Sequence, residues 1–451
     1  MLRALLVFTI LLAFCLPSPA QSLINFRGGA IYFNGVNLPW NHFGWDIGIH
    51  EDKGIGYEPA YFEQAFAECS ANGVNTVRFW LHCDGRASPE FDTEGNVIGL
   101  DPNFYEHLDD LIERAERHQI YLILCLWTFE IAEDRSSCCG RFAGNHEDLI
   151  QDPDKTQGYI DEVLIPMVQR YADRCNLLAW EIINEPEWIV ADIDKHHEGV
   201  VSVEEMRRFV GMQAAAIHRH APEQMVTLGA ASFKWMAEYG NPSWGNLWSD
   251  QALQNASGEA LAFLDFYQVH FYPWMKENRM NFDPYARPVS HWMLDKPILI
   301  GEAPVWNDIY QPGEMVARAF NNGYAGNLFW SYGGVDRFGR WTQCRNAIHE
   351  FSMMESALVD YRCEAINVSK ETFSYHPNPV NAGSPIIIEA THQQEAQHLI
   401  LIHDMQGKVV MREDIFLPAG KSRYHLSTAK MPPGVYLVRI DEQEAKKLLV
   451  Y

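Results

Sequence analysis

Short apolar runs alternate with longer amphipathic segments through the first four-fifths of the chain. Eight runs read as strands, at 30–36, 74–81, 120–127, 177–184, 225–230, 264–271, 297–302 and 326–331. Val, Ile, Leu and Trp follow one another there without polar alternation, the pattern of parallel strands buried on both faces. Helical periodicity with start signals predicts helices at 59–71, 101–118, 159–174, 203–220, 283–294, 312–322 and 341–355, with a fainter one near 249–261. Alternation of this kind makes right-handed β-α units around a parallel sheet. Eight units between residues 25 and 356 define an α/β fold, the (β/α)8 TIM barrel, with surplus length in the loops 37–59 and 128–157 that follow strand C-termini.

Beyond about residue 370 the helical period disappears. Half-buried strands are expected at 386–390, 399–403, 409–414, 423–426, 435–440 and 447–451, separated by turns at Met405-Gln406-Gly407, Pro418-Ala419-Gly420 and Pro432-Pro433-Gly434. These strands form a small all-β sandwich, entered through the proline-stiffened Tyr375-His376-Pro377-Asn378-Pro379-Val380. The expected organisation is a leader at 1–20, a barrel at 21–360, a linker at 361–374 and the sandwich at 375–451.

Composition narrows the partners. With 47% hydrophobic and 21% charged residues the chain is an ordinary globular protein, not a disordered one. Its formal net charge of -24 argues against nucleic acid and anionic membrane surfaces, both of which call for basic patches. A neutral polymer meets no such penalty. The start of the chain has Arg3, an apolar stretch at 4–16 and a small-residue exit at Ser18-Pro19-Ala20-Gln21, the form of a secretory signal peptide. That stretch falls short of the ~20 residues a membrane span requires, so export without stable membrane insertion is expected.

Of nine cysteines, Cys15 leaves with the leader, and the rest meet an oxidising compartment. Cys138-Cys139 lies in a polar loop where each thiol has the option of a different partner, Cys83 among them. Cys125, in an apolar strand, and Cys69, in a helix, read as reduced core residues.

Two strands release a glutamate at their C-terminal ends, the active face of such a barrel. Leu177 to Ile183 is followed by Asn184-Glu185-Pro186, and Pro297-Ile298-Leu299-Ile300-Gly301 by Glu302. Hydrolysis of a glycosidic bond needs one carboxylic acid to protonate the departing oxygen and a second carboxylate opposite it. A separation of ~5–5.5 Å predicts retention of configuration, and ~6.5–9.5 Å inversion.

Across the barrel the pattern resembles glycoside hydrolase family 5, the cellulase and mannanase group. Trp180-Glu181-Ile182-Ile183-Asn184-Glu185-Pro186 is similar to its acid/base signature, which implies Glu185 as proton donor and Asn184 on the sugar 2-hydroxyl. Ile300-Gly301-Glu302 is similar to its nucleophile strand, which implies Glu302 as the attacking group. Val77-Arg78-Phe79-Trp80, His270-Phe271-Tyr272-Pro273 and Leu328-Phe329-Trp330-Ser331 resemble the second, sixth and eighth strands. The resemblance implies Arg78 beside the nucleophile, His270 and Tyr272 flanking the carboxylates, and Trp330 as the floor beneath the reacting sugar. With those assignments, a guanidinium at Arg78 would keep Glu302 ionised, and a negative Glu302 would raise the pKa of Glu185. Aromatics in the loops of the active face, Trp40, His42, Phe43, Trp45, Trp127, Trp188, Trp274 and Trp306, are candidates to stack on sugar rings, with Trp40 and Trp127 taken as substrate-binding. The third strand departs from the family: where many members carry a histidine, this chain reads Leu124-Cys125-Leu126-Trp127-Thr128-Phe129-Glu130.

The terminal sandwich resembles the sorting domains of type IX secretion through Tyr375 to Val380, Ile402-His403-Asp404-Met405-Gln406-Gly407-Lys408-Val409-Val410, Pro433-Gly434-Val435-Tyr436-Leu437-Val438-Arg439-Ile440 and Lys446-Lys447-Leu448-Leu449-Val450. That resemblance implies the type IX machinery as a partner and a secreted or cell-surface protein. The expected function is a secreted, retaining hydrolase of β-1,4-linked polysaccharide, mannan or glucan. An exo-acting β-glycosidase and a non-catalytic sugar-binding barrel are the alternatives. Proton transfer and covalent displacement suffice, so neither metal nor organic cofactor is expected. The adjacent His196-His197 point apart in a helix and do not suggest a metal site.

Overall fold

The computed structural model describes residues 23–26, 29–50, 54–135, 143–193, 199–237, 245–273, 282–363, 372–376, 378–392, 396–404, 408–417, 420–440 and 446–451. The leader at 1–20, Cys138-Cys139, His196-His197, Trp274, the turn positions 405–407 and 418–419 and most of the 361–374 linker lie outside them. The chain divides into two compact units, residues 1–362 and 363–451.

Eight parallel strands close the barrel of the first unit: β1 (Phe33–Asn37), β2 (Thr76–Cys83), β3 (Tyr121–Thr128), β4 (Leu177–Asn184), β5 (Met225–Ala230), β6 (Tyr267–His270), β7 (Ile298–Pro304) and β8 (Gly326–Trp330). They neighbour one another in sequence order all the way round. β2, β3, β4 and β7 are buried along their whole length, which is why each reads as an unbroken apolar run. Near their C-terminal ends β2, β4, β6 and β7 all shift register against a neighbour, between Trp80 and Cys83, Glu181 and Asn184, Val269 and His270, and Ile300 and Ala303. Such irregularities re-aim side chains, and here they occur around one mouth of the barrel.

Three expectations need correction. The run at 30–36 is split: Gly29–Ile31 pairs with Ile24–Phe26 in an antiparallel hairpin, and only Phe33–Asn37 enters the barrel. The helix expected at 283–294 is two 3-10 turns, Pro284–Ala286 and Val289–Trp292. Pro288 supplies no N–H and holds Arg287 extended at φ -135°, ψ 136°, so no α-helix crosses that point. Cys83 is a free, buried thiol, as are Cys69, Cys125 and Cys344, so the pairing entertained for Cys83 does not occur.

In the second unit, β9 (Thr372–His376), β10 (Pro385–His392), β11 (Ala396–Asp404), β12 (Val409–Leu417), β13 (Gly420–Ser427), β14 (Gly434–Ile440) and β15 (Lys446–Val450) form two antiparallel sheets, β9-β10-β13 and β12-β11-β14-β15. Ile386 and Ile388 of one sheet meet Ile400, Ile402, Val438 and Leu448 of the other in a shared core, which makes a sandwich.

Candidate active site

Where β4 ends, the chain must turn sharply, and Glu185 makes that turn in the left-handed region at φ 49°, ψ 49°. A non-glycine residue there costs on the order of 1 kcal/mol or more and persists only when its surroundings fix it. The Glu185 N–H donates to the Gly229 carbonyl at 2.7 Å, and its own carbonyl accepts from the Trp188 N–H at 3.2 Å. Two residues on, the buried Glu187 carboxylate accepts from the Ala231 N–H at 3.1 Å and from Trp248 Nε1 at 2.8 Å. This clamp leaves Trp188 Nε1 donating to Glu185 Oε2 at 2.7 Å.

Arg78, fully buried on β2, gathers the opposite side of the site. Its Nε and Nη2 donate to the two oxygens of Glu181 at 2.5 Å each, Nη2 also to Asn184 Oδ1 at 2.7 Å, and Nη1 to Glu302 Oε1 at 2.6 Å and Asn37 Oδ1 at 3.0 Å. Gln268 Nε2 adds a donor to Glu181 at 2.8 Å. β5 must pass close to this network: a Cβ on Gly229 would stand 2.4 Å from Glu181 Oε1 and 2.9 Å from Arg78 Nη2. Glu302 Oε2 accepts from the Tyr272 hydroxyl at 2.7 Å. His270 Nδ1 lies between the two strand-end carboxylates, 2.8 Å from Glu185 Oε1 and 3.6 Å from Glu302 Oε1.

An oxygen of Glu185 and an oxygen of Glu302 come within 4.8 Å of each other, with a His270 nitrogen inside the same limit. Two carboxylates and an imidazole are also a possible ligand set for a cation, but the Arg78 guanidinium 2.6 Å from Glu302 already supplies the positive charge and repels a second.

The electrostatics of the site correct an expectation. Burial raises Glu302, with the Glu185 charge adding to it, against the lowering pull of His270 and Arg78 and the Tyr272 bond. Burial presses Glu185 upward too, but the His270 bond and attraction, the Trp188 bond and Arg78 hold it below the usual carboxylate range. The directions are thus opposite to those expected from Arg78 alone, because His270 and Trp188 both address Glu185. Arg78 stays charged, since Glu181 and Glu302 more than offset the cost of its burial.

These groups border a cleft of about 270 Å³ lined by Trp40, Trp80, Thr128, Phe129, Glu130, Asn184, Glu185, Trp188, Tyr272, Glu302, Trp330 and Phe338. Trp40, Trp80 and Trp330 meet edge to face, with centroids 5.6–5.9 Å apart, as an aromatic wall. Arg78 and His270 are wholly buried behind the carboxylates. Among the residues expected to be catalytic or substrate-binding, Trp127 stands elsewhere. It is wholly buried and packs on His82 and Tyr159, so it belongs to the core, not to the cleft. Trp306 is 60% exposed and does not line the cleft. Sequence reasoning did not single out Glu181, Asn37, Gln268 or Phe338. Glu181 alone gave a signal, as the one charge inside the apolar run of β4.

A parallel eight-stranded barrel holding two strand-end carboxylates at bridging distance in a tryptophan-walled cleft defines an O-glycosyl hydrolase. The chain belongs to glycosyl hydrolase family 5: the family model described as cellulase (glycosyl hydrolase family 5) matches residues 47–334. The model of the secretion system C-terminal sorting domain matches residues 374–451 and marks the protein as secreted or held at the cell surface. Among similar proteins, the mannan endo-1,4-beta-mannosidase of Mytilus edulis is 32% identical over 329 residues, covering 68% of this chain and 85% of its own. That of Cryptopygus antarcticus is 27% identical over 326 residues, covering 68% and 82%. The X-ray structure of β-mannanase from the blue mussel matches with a TM-score of 0.65 at 30% identity, over 76% of this chain and 98% of that one. The endo-1,4-beta-mannanase of Eisenia fetida matches at 0.64 and 28%, over 73% and 94%. Among the described residues no helix is long and apolar enough to cross a membrane.

Proposed function

We propose that this chain is an endo-acting β-1,4-mannanase that cleaves with retention of configuration through Glu185 and Glu302. The observation that carries the mechanism is that an oxygen of Glu185 lies within 4.8 Å of an oxygen of Glu302, which supports the close spacing of a retaining pair over the ~6.5–9.5 Å of an inverting one. The names of the relatives support mannan as substrate.

In this reading Glu302 attacks the anomeric carbon and forms a glycosyl ester, while Glu185 gives its proton to the departing glycosidic oxygen. Arg78 and Tyr272 keep one hydrogen bond on each Glu302 oxygen, which orients the nucleophile and favours its charge. Glu185 and Glu302 stand close enough to compete for one proton, which they share until a sugar arrives. With the sugar seated, the leaving oxygen takes the proton by way of Glu185, and the charge concentrates on Glu302, where Arg78 is fixed. Once the ester forms, the Glu302 charge is gone, and Glu185 becomes the base that activates water. Asn184, held through its Oδ1 by Arg78, is placed to meet the 2-hydroxyl. Trp330 and Trp40 offer apolar faces to the sugar rings.

Proton NMR of the first product released from linear mannan tests the mechanism: the β-anomer is expected first, and an α-anomer appearing first refutes the covalent route. Product analysis on mannan, glucomannan and carboxymethylcellulose tests the substrate, with internal cleavage of mannan expected. Glu302→Ala should abolish turnover while leaving oligosaccharide affinity nearly intact.

A further inference from the structure

The end of β3, where the sequence departs from the family, brings a third carboxylate into the cleft. Glu130 follows in the 3-10 turn Phe129–Ala132, whose entry is capped by Thr128: its hydroxyl accepts from the Glu130 N–H at 3.1 Å. The turn sets the side chain in the wall of the cavity that contains Glu185 and Glu302. There it is only 15% exposed, and among the described residues its one ion-pair contact is with Arg135 Nη2 at 3.4 Å. That is beyond the range of a good charge-assisted hydrogen bond, and the same nitrogen lies closer to Glu133, at 2.8 Å. The other charges acting on Glu130, Glu133 and Asp84, are negative, and Asp84 is already paired with Arg86. Burial raises the Glu130 carboxyl to about 8, more than Arg135 lowers it.

The ionised carboxylate offers about four acceptor positions, and with so few of them filled it is costly here, which is why burial keeps a proton on Glu130 until something else supplies donors. Three donors in the cleft wall are committed elsewhere, Trp188 Nε1 to Glu185, Trp330 Nε1 to Asp336 and the Tyr272 hydroxyl to Glu302. A neutral ligand dense in hydroxyls supplies what is missing.

We propose that Glu130 is a substrate-binding residue that accepts hydrogen bonds from the hydroxyls of a sugar unit next to the one under attack. The inference rests on the reading of the chain as a mannan hydrolase and adds to it a polar anchor in a cleft otherwise walled by tryptophan. Glu130 takes no part in bond breaking. Its contribution is made in the ground state and the transition state alike, so it acts on KM and affinity more than on kcat.

The test is calorimetric titration of mannohexaose into the full-length chain carrying Glu302→Ala, alone and combined with Glu130→Ala or Glu130→Gln. Expected is a dissociation constant raised about tenfold or more by Glu130→Ala and by less with Glu130→Gln, which keeps one acceptor. Melting temperatures should be unchanged or higher, because a poorly paired carboxylate has been removed. Equal affinity in all three proteins overturns the inference and leaves the functional reading standing. A weaker affinity accompanied by lower melting temperatures in both Glu130 variants overturns it in favour of a structural role. Failure of the Glu302→Ala parent to bind mannohexaose refutes the functional reading and this inference with it.

Discussion

Replacing Arg78 with Met keeps the volume of the side chain and removes its charge. Two buried carboxylates then lose their common cation: Glu181 is left with Gln268 as donor and Glu302 with Tyr272 and His270. Breaking one side of a buried ion pair costs about 3–5 kcal/mol. The site escapes the worst of this by taking up a proton. Protonating one carboxylate at pH 7, from a reference value of ~4.3, costs about 3.7 kcal/mol, and at pH 5 only about 1 kcal/mol. The sign follows from the proton count: between these pH values the folded variant binds a proton that its unfolded chain does not, so its stability falls as pH rises. Urea unfolding of wild type and variant at pH 5 and 7 measures the effect. All 14 tryptophans lie at or before Trp341, so tryptophan fluorescence reports the barrel without the sandwich. A penalty of about 3–4 kcal/mol at pH 7 that shrinks by at least half at pH 5 is expected. The same penalty at both values would refute the claim that the network is held by charge, not by packing.

Tyr272→Phe removes the donor on Glu302 Oε2 and should lower kcat by about tenfold to a hundredfold with little change in KM, measured on a soluble mannooligosaccharide. Gly229→Ala places a methyl 2.4 Å from Glu181 Oε1 on a backbone that cannot yield, and should cost about 1–3 kcal/mol in the same fluorescence assay and lower activity with it. Burial raises Glu187 to about 7, so between about 4.5 and 7 the folded chain holds a proton the unfolded chain has lost, and stability falls with rising pH. Glu187→Gln should flatten that part of a melting-temperature profile. It should also lower kcat by loosening the turn that presents Glu185.

The barrel was legible because its strands are buried on both faces, and such strands cannot hide their composition. Glu185 and Glu302 stood out for the same reason: each ends an apolar run at the side of the barrel where chemistry is done. Single aromatic residues carry no such address. Trp127 and Trp40 look alike in the sequence, but one packs on His82 and Tyr159 in the core while the other faces the cleft. The failed helix at 283–294 had the right apolar period, and Pro288 overrode it. The partners of Glu181 were illegible because Arg78 stands 103 positions away, and only closure of the barrel brings them together. The same holds for the electrostatics. That Arg78 faces Glu302 follows from the resemblance, but that His270 and Trp188 turn their donors to Glu185 depends on ring orientations no sequence pattern encodes.

In the proposed mechanism Glu302 is the nucleophile, and burial first, then the division of Arg78 between two carboxylates, keep it above the usual carboxylate range. The Nε and Nη2 edge is committed to Glu181 in a two-point contact, and only Nη1 reaches Glu302. One positive charge therefore serves two negative ones, with Glu185 adding a third nearby. A guanidinium given wholly to Glu302 would stabilise its anion, and a firmly stabilised anion is a weak nucleophile whose ester hydrolyses easily. Sharing the cation with Glu181 leaves Glu302 more basic and keeps it oriented by Arg78 on one oxygen and Tyr272 on the other. In that mechanism Glu181, which does not line the cleft, sets the reactivity of Glu302 through the guanidinium they share.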